Sequence, residues 1–250
     1  MIGAILITKN EELNIRACLN SISWVDEIVV VDSGSSDSTV DICKEFGCIV
    51  LETDWPGFGP QKNRALALAS KPWVLSIDAD ERITPELRDE IQALIRSETQ
   101  QNGFDIPRSS NFCGRFMKHS GWYPDHVLRL FRRESARFSD DIVHERVICK
   151  GETGKLSNPL MHYTYDTLFQ AVEKANLYSD LGAEKLFKEG KRSGLTKAVL
   201  KGFWAFFRTY LLRAGFLDGK QGLMLAITNA EATYYKYAKL MLLCDQRDNS

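Results

Sequence analysis

The sequence predicts an α/β fold: a mostly parallel sheet flanked by helices, followed by a C-terminal helical extension. Three observations predict it. Short apolar runs alternate with helix-period segments through the first hundred residues. Between Gly103 and about Tyr165 the helical period is lost, and short apolar runs alternate with Gly, Pro and Asn. From Thr167 onward the helical period returns.

Each element has a local reason. Ile2–Ile7 is a short apolar run and reads as a buried strand. Glu12–Ser21 carries Leu13 and Ala17 at near-helical spacing. Glu27–Val31 is a second strand, with Val30 and Val31 adding β-branched weight. Ser38–Phe46 reads as a helix capped by Asp37, and Cys48–Leu51 as a third strand. Pro60–Ala69 is a helix with Pro60 in its first turn, where a missing N–H costs little. Trp73–Ile77 is a fourth strand. Thr84–Ile95 has every helix-start signal: Thr84 as N-cap, Pro85 at the first position and acids in the first turn. Residues 103–165 read as a mixed β region extending the sheet. Thr167–Lys188, Leu195–Arg213 and Gly219–Leu243 are three further helices. The expected organisation is a domain over 1–165, divided into 1–100 and 101–165, and a helical region over 166–250.

Composition bounds the function. A chain of 250 residues that is 44% apolar and 26% charged is an ordinary globular protein and not a disordered one. The net charge of −1 conceals two opposite halves. Residues 1–100 hold 17 acids and 9 bases, whereas residues 101–250 hold 16 acids and 23 bases. Such asymmetry suggests two surfaces with different partners. The six cysteines form no CxxC pair, so zinc-site spacing is absent. The N-terminus has no basic segment followed by a long apolar one. No secretory signal is therefore expected, and the cysteines are expected to be reduced, buried thiols in a cytosolic protein. No run of ~20 uncharged apolar residues predicts a membrane span.

In sheets of this kind ligands bind beyond the carboxyl ends of the strands. Three such tips are polar and rich in carboxylates. The tip after the first strand is Thr8-Lys9-Asn10-Glu11-Glu12. The second is Asp32-Ser33-Gly34-Ser35-Ser36-Asp37, and the fourth is Asp78-Ala79-Asp80-Glu81. Two carboxylates at i and i+2 past a buried strand can hold a hard divalent cation against a diphosphate, although a solvated turn has the same spacing. Asp32 can accept from a nucleobase imide or a ribose hydroxyl, although the same stretch reads as a turn with Gly34 at φ > 0 and Asp37 capping a helix. Lys62 and Arg64 open a helix after Gly57-Phe58-Gly59-Pro60, where cations suit a diphosphate or are simply solvated. The glycines match neither GxGxxG nor GxxxxGK[ST].

Taken together, these residues resemble the inverting family 2 glycosyltransferases of the GT-A fold. The likeness runs in order through Thr8-Lys9-Asn10-Glu11, Val29-Val30-Val31-Asp32-Ser33-Gly34-Ser35-Ser36-Asp37, Lys62-Asn63 and Asp78-Ala79-Asp80. It implies that Thr8, Asn10, Glu11 and Asp32 hold the nucleotide base. Asp78 and Ala79 would lie near the ribose and Asp80 on Mg²⁺ or Mn²⁺. Lys62 stands where the family more often has arginine, which removes a bidentate phosphate contact. In the second half, Asp125-His126-Val127-Leu128-Arg129-Leu130-Phe131-Arg132-Arg133, Val143-His144-Glu145-Arg146, His162-Tyr163 and the stretch from Phe203 to Gly222 are similar to a bacterial subgroup that builds the lipopolysaccharide inner core. Those enzymes transfer a hexose, often glucose, from a UDP-sugar to inner-core heptose. The resemblance thus implies nucleotide-sugar binding by 1–100 and an acceptor side in 101–165.

Inversion requires a carboxylate base near the acceptor hydroxyl. The candidates are Glu145, then Asp140 and Asp141. His162 and His144 are candidate metal ligands opposite Asp80, or hydrogen-bonded structural groups. Arg129 and Arg132 are candidates for acceptor phosphate or leaving diphosphate. Residues 191–217 hold six bases and no acid, interleaved with Phe203, Trp204, Phe206, Phe207 and Tyr210. That mixture suits a helix on an anionic membrane surface, or a core-facing helix with a basic face. No nucleic-acid motif accompanies it. The expected location is cytoplasmic, peripheral on the cytoplasmic face of the inner membrane. Alternatives are a polyprenyl-phosphate glycosyltransferase and a non-catalytic membrane adaptor with the same fold.

Overall fold

The computed structural model describes residues 1–139 and 146–248. In chain order the elements are β1 (Ile2–Thr8), α1 (Glu12–Ser21), β2 (Glu27–Asp32), α2 (Thr39–Glu45), β3 (Ile49–Glu52), α3 (Phe58–Leu68), β4 (Trp73–Ser76), β5 (Glu81–Ile83), α4 (Pro85–Arg96), β6 (Gly103–Phe112), β7 (Arg115–Phe116), β8 (Asp125–Arg132), β9 (Ala136–Phe138), β10 (Val147–Cys149), β11 (Thr153–Lys155), β12 (Leu160–Tyr165), α5 (Leu168–Lys188), α6 (Leu195–Phe207) and α7 (Gly219–Asp248). They group into two compact units. One holds residues 1–108 and 125–162, the other 109–124 and 163–250.

The first unit is organised by strand alternation. Along β1, Ala4 and Leu6 face one side of the sheet and pack with Ile15, Cys18 and Leu19 of α1, Ile42 of α2 and Leu87 and Ile91 of α4. Ile5 faces the other side, with Val29, Val31, Ala65 and Leu66 of α3, and Phe138. Burying one such side chain contributes about 1.5–3 kcal/mol, so both layers hold the sheet. The strand order is β3-β2-β1-β4-β8-β6-β12-β5. The first four strands are parallel, with Thr8, Asp32 and Glu52 level in register. β8 then pairs antiparallel with β4, and β6 antiparallel with β8. The expected α/β class with a mostly parallel sheet is what the chain forms.

Thr84 caps α4 as expected, its side chain accepting from the Leu87 N–H at 3.1 Å. α3 begins two residues earlier than expected, at Phe58, and α7 continues past Leu243 to Asp248. Two features depart from the expected pattern. β5 follows the fourth tip directly and pairs antiparallel with β12, setting His162 opposite Glu81. The expected helix to Arg213 leaves α-geometry after Phe207, and Arg208–Leu212 is a π-helical turn. The expectation that all the cysteines are buried is corrected. Cys18, Cys43 and Cys244 are buried, whereas Cys48, Cys113 and Cys149 are half-buried thiols. Among the described residues no helix is long and apolar enough to cross a membrane.

The second unit packs α5, α6 and α7 with the segment 109–124. Phe112, Met117, Ala171 and Leu225 form one cluster, with Trp122 and Tyr165 against it. Asp218, fully buried, orders the 118–120 turn. Its carboxylate accepts from the N–H groups of Lys118 at 3.1 Å and His119 at 2.9 Å, and from Ser120 Oγ at 3.3 Å. Asp218→Ala orphans these donors in a dry site and should lower unfolding free energy by at least about 2 kcal/mol, read by urea denaturation. Asp218→Asn, which keeps part of the acceptor capacity, should lose less.

Candidate active site

The parallel register brings three polar tips to one edge of the sheet. At the second tip, Gly34 takes φ 82, which lets the chain turn back on Asp32. Asp32 is fully buried. It accepts from the Gly34 N–H at 2.9 Å, the Ser35 N–H at 2.7 Å, Ser35 Oγ at 2.6 Å and Thr8 Oγ1 at 2.8 Å. Four donors fill the capacity of one carboxylate. Asp32 therefore joins the first two tips, and Thr8 is its partner across them. Asn10, at φ 56, completes the join: its N–H donates to Ser35 Oγ at 2.8 Å and its side-chain oxygen accepts from the Ser36 N–H at 2.8 Å. Glu11 follows, its N–H donating to Thr39 Oγ1 at 2.7 Å.

A cavity of about 320 Å³ opens at this end, lined by Ile7, Thr8, Lys9, Glu11, Trp55 and Phe58. The Trp55 and Phe58 rings meet edge to face at 4.8 Å, and both are 43% exposed. Exposed aromatics beside a polar tip suit a planar, hydrogen-bonding ligand. The sequence reading passed over both. Their signal is two large rings within Trp55-Pro56-Gly57-Phe58, a loop with no core to fill.

At the fourth tip the two aspartates are treated differently. Asp78 is clamped: Oδ1 lies 3.1 Å from Lys62 Nζ and Oδ2 lies 2.5 Å from Arg129 Nη2. Burial would raise its pKa, but the Arg129 and Lys62 cations outweigh burial and hold it far below the usual carboxylate range. Glu81 is fully buried and accepts from Arg129 Nη2 at 2.7 Å and from the Asp78 N–H at 2.9 Å, with Arg108 Nη1 at 3.8 Å. Its pKa is raised, burial outweighing Arg129. Arg129 itself stays charged, because the two carboxylates outweigh its burial. Asp80 is exposed to the same degree, each side chain being about one-third exposed, but its partner differs: its Oδ2 lies 3.3 Å from His162 Nε2. Ala79 is buried, and its carbonyl accepts from Arg82 at 2.6 Å. Glu11 feels this cluster. Burial raises its pKa, a hydrogen bond from Asn14 opposes that, and the charges of Asp80, Asp37 and Asp78 raise it further.

The remaining candidates are placed as follows. Lys62 is buried on α3 and turned to Asp78. Arg64 faces the β3–α3 loop, where it pairs with Asp54 at 2.7 Å. Arg129 is committed to Asp78 and Glu81. Arg132 stacks 4.7 Å from the Trp73 ring and donates to the Thr99 carbonyl at 2.8 Å. The candidate bases Glu145, Asp140 and Asp141, and the candidate ligand His144, lie outside the described residues. Among the described residues, no three His, Cys, Asp or Glu side chains gather into a metal cluster. Asp80 and His162 do supply an oxygen and a nitrogen side by side. That donor pair suits a divalent ion such as Mn²⁺ and leaves other positions to ligand oxygens and water.

A sheet of this topology with acidic strand tips is the arrangement of the GT-A fold. The structure of residues 1–349 of S. aureus TarS in complex with UDP-GlcNAc matches all of this chain and 92% of its own at TM-score 0.50 and 18% identity, a likeness of fold. The family model for glycosyl transferase family 2 matches residues 4–151. A glycosyltransferase of Rickettsia typhi, itself uncharacterised, is 32% identical over 96% of this chain and 86% of its own length. The lipopolysaccharide core biosynthesis glycosyltransferase LpsC of Rhizobium meliloti is 29% identical over 96% of this chain and 91% of its own. The chain belongs to glycosyl transferase family 2 and is a glycosyltransferase.

Arg129→Met should cost about 3 kcal/mol at pH 7, because it leaves Asp78 and Glu81 without their shared cation. The sign with pH follows from the two carboxylates. Asp78's depressed pKa contributes stability that is fully present above its unfolded value near ~4 and is lost as pH falls toward the folded value. In the variant that contribution is reduced, and Glu81 is relieved by taking up a proton. The gap between wild type and variant should therefore narrow below about pH 4, as read by urea unfolding across pH 7 to 3.

Proposed function

We propose that the chain is a metal-dependent inverting transferase that moves a hexose, glucose, from a UDP-sugar to a heptose of the lipopolysaccharide inner core. The observation that carries the reading is the split of the DxD. Asp78 is neutralised by Lys62 and Arg129, whereas Asp80 stands beside the imidazole of His162. The likeness to LpsC supports a core acceptor, and the aromatic-rimmed cavity at the first tip supports a nucleotide donor.

In this reading the uracil lies against Trp55 and Phe58 near Thr8 and Glu11, and Asp32 holds the first two tips rigid around it. Asp78 and Ala79 lie beside the ribose. Asp80 and His162 would hold Mn²⁺ or Mg²⁺, which when bound neutralises charge on the departing diphosphate. The acceptor hydroxyl attacks the anomeric carbon from the face opposite UDP. The new C–O bond forms as the bond to the diphosphate oxygen breaks, which inverts the configuration. The hydroxyl proton passes to a carboxylate, for which Glu145 is the first candidate and Asp140 and Asp141 are the others. Residues 1–100 then serve the donor, residues 101–165 the acceptor and residues 166–250 the membrane surface. The bases of residues 191–217, with the exposed Phe203, Trp204, Leu212 and Phe216, suit residence on the cytoplasmic face of the inner membrane.

The test is UDP release by purified protein with Mn²⁺, a panel of UDP-sugars and heptosylated core acceptor. UDP-glucose should be consumed, and Asp80→Ala should lower kcat by roughly a hundredfold or more. His162→Ala should raise the Mn²⁺ requirement by about tenfold or more. Absence of UDP release from every UDP-sugar tested would overturn the reading.

A further inference from the structure

The helical unit holds a second cavity, of about 340 Å³, whose lining includes Ser120, Thr209, Asn229, Arg208, Arg213 and Lys236 and no acidic residue. Among the described residues, none of these three cations forms an ion pair with a carboxylate. Like charges gathered around one cavity repel, and an anion between them reverses the sign of the interaction. We propose that this cavity binds a phosphate group, a phosphomonoester or diphosphate carried on a sugar or a lipid.

The backbone is shaped to gather those cations. Arg208 and Arg213 are five residues apart. In an α-helix of 3.6 residues per turn they would point about 140° away from each other. The π-turn closes instead with the Arg213 N–H donating to the Arg208 carbonyl at 2.9 Å, so the two arginines stand one turn apart on a common face. Gly121, at φ 78, keeps the way clear for one of them. A Cβ there would collide with the Arg213 guanidinium. Ser120, at φ 62, fixes this approach, its N–H donating to the Arg213 carbonyl at 2.8 Å. Asp218 locks the same turn from behind through Ser120 Oγ. Lys236 of α7, a half-buried residue whose Nζ lies 5.2 Å from the Tyr237 ring, adds a third cation, and Thr209 and Asn229 add neutral polar groups. Two guanidinium forks and an ammonium are the donors that phosphate oxygens take most readily. The volume exceeds that of phosphate alone and suits a phosphate with a pendant group.

That the phosphate belongs to the sugar acceptor rests on the transferase reading above; that the cavity binds phosphate does not. Calorimetry on the full chain with inorganic phosphate, glucose 1-phosphate and glycerol 3-phosphate tests the binding. A parallel arm uses phosphatidylcholine vesicles with and without phosphatidic acid. Phosphate compounds should bind in a salt-sensitive way. Arg208→Gln and Arg213→Gln should each weaken that binding by roughly tenfold or more, with melting temperature unchanged. Gly121→Ala, which keeps every charge but crowds Arg213, should also weaken it. Binding of the soluble phosphates alone supports a phosphosugar ligand. Vesicle binding that needs both phosphatidic acid and Arg208 supports a lipid-linked phosphate. No binding of any of these to the wild type, or equal binding to both arginine variants, overturns the proposal. UDP release, measured separately, reports on the donor site and can fail or succeed independently.

Discussion

Arg129 sits in an apolar strand with its guanidinium shared between Asp78 and Glu81, and the order of the β4 tip depends on that arrangement. A buried guanidinium and two buried or half-buried carboxylates are costly singly and tolerable only together. Lys62 adds a second cation on the far oxygen of Asp78. Together they clamp the tip of β4, Lys62 reaching it from α3 and Arg129 from the neighbouring strand β8. A strand end that would otherwise be a mobile acidic turn becomes a rigid one, and Asp80 projects from it in a defined direction.

The first two tips use a different device to the same end. Asp32 spends its hydrogen-bonding capacity on Thr8, Gly34 and Ser35, so the carboxylate acts as a tie between two loops. Preorganised loops of this kind leave less ordering entropy to be lost when a ligand arrives. Glu11 and Asp80 stand outside these ties, and the charge of Asp80 adds to the burial that raises the pKa of Glu11. The acidic half of the chain thus divides its acids between internal ties and outward-facing charge.

Much of this was legible in the residues. β1 to α4 could be placed because apolar runs of strand length alternate with helical period, and Thr84-Pro85 announces its helix by local rules that need no tertiary context. The polar tips followed from the rule about strand ends. What was not legible depended on register or on a local change of geometry. β5 is three residues long, too short for periodicity to declare, yet its pairing with β12 is what sets His162 beside Asp80. Arg129, a phosphate candidate by sequence, pairs inward with Asp78 and Glu81; strand alternation alone does not reveal such a partner, although a charge inside Val127-Leu128-Arg129-Leu130-Phe131 is itself a signal of a buried pair. The π-turn is silent in sequence because the apolar pattern continues through Tyr210, Leu211 and Leu212.

The β5–β12 pairing carries a consequence for synthesis. Asp80 and His162 are 82 residues apart in the chain, whereas Asp32 and Thr8 are joined by a single βαβ connection. On the ribosome, at roughly 5–20 residues per second, Asp32 is made about 6–26 s before His162. The two tips tied together by Asp32 are therefore complete well before the Asp80–His162 pair can form. A chain truncated before β12 would keep the residues of the first two tips but lack the imidazole that stands beside Asp80.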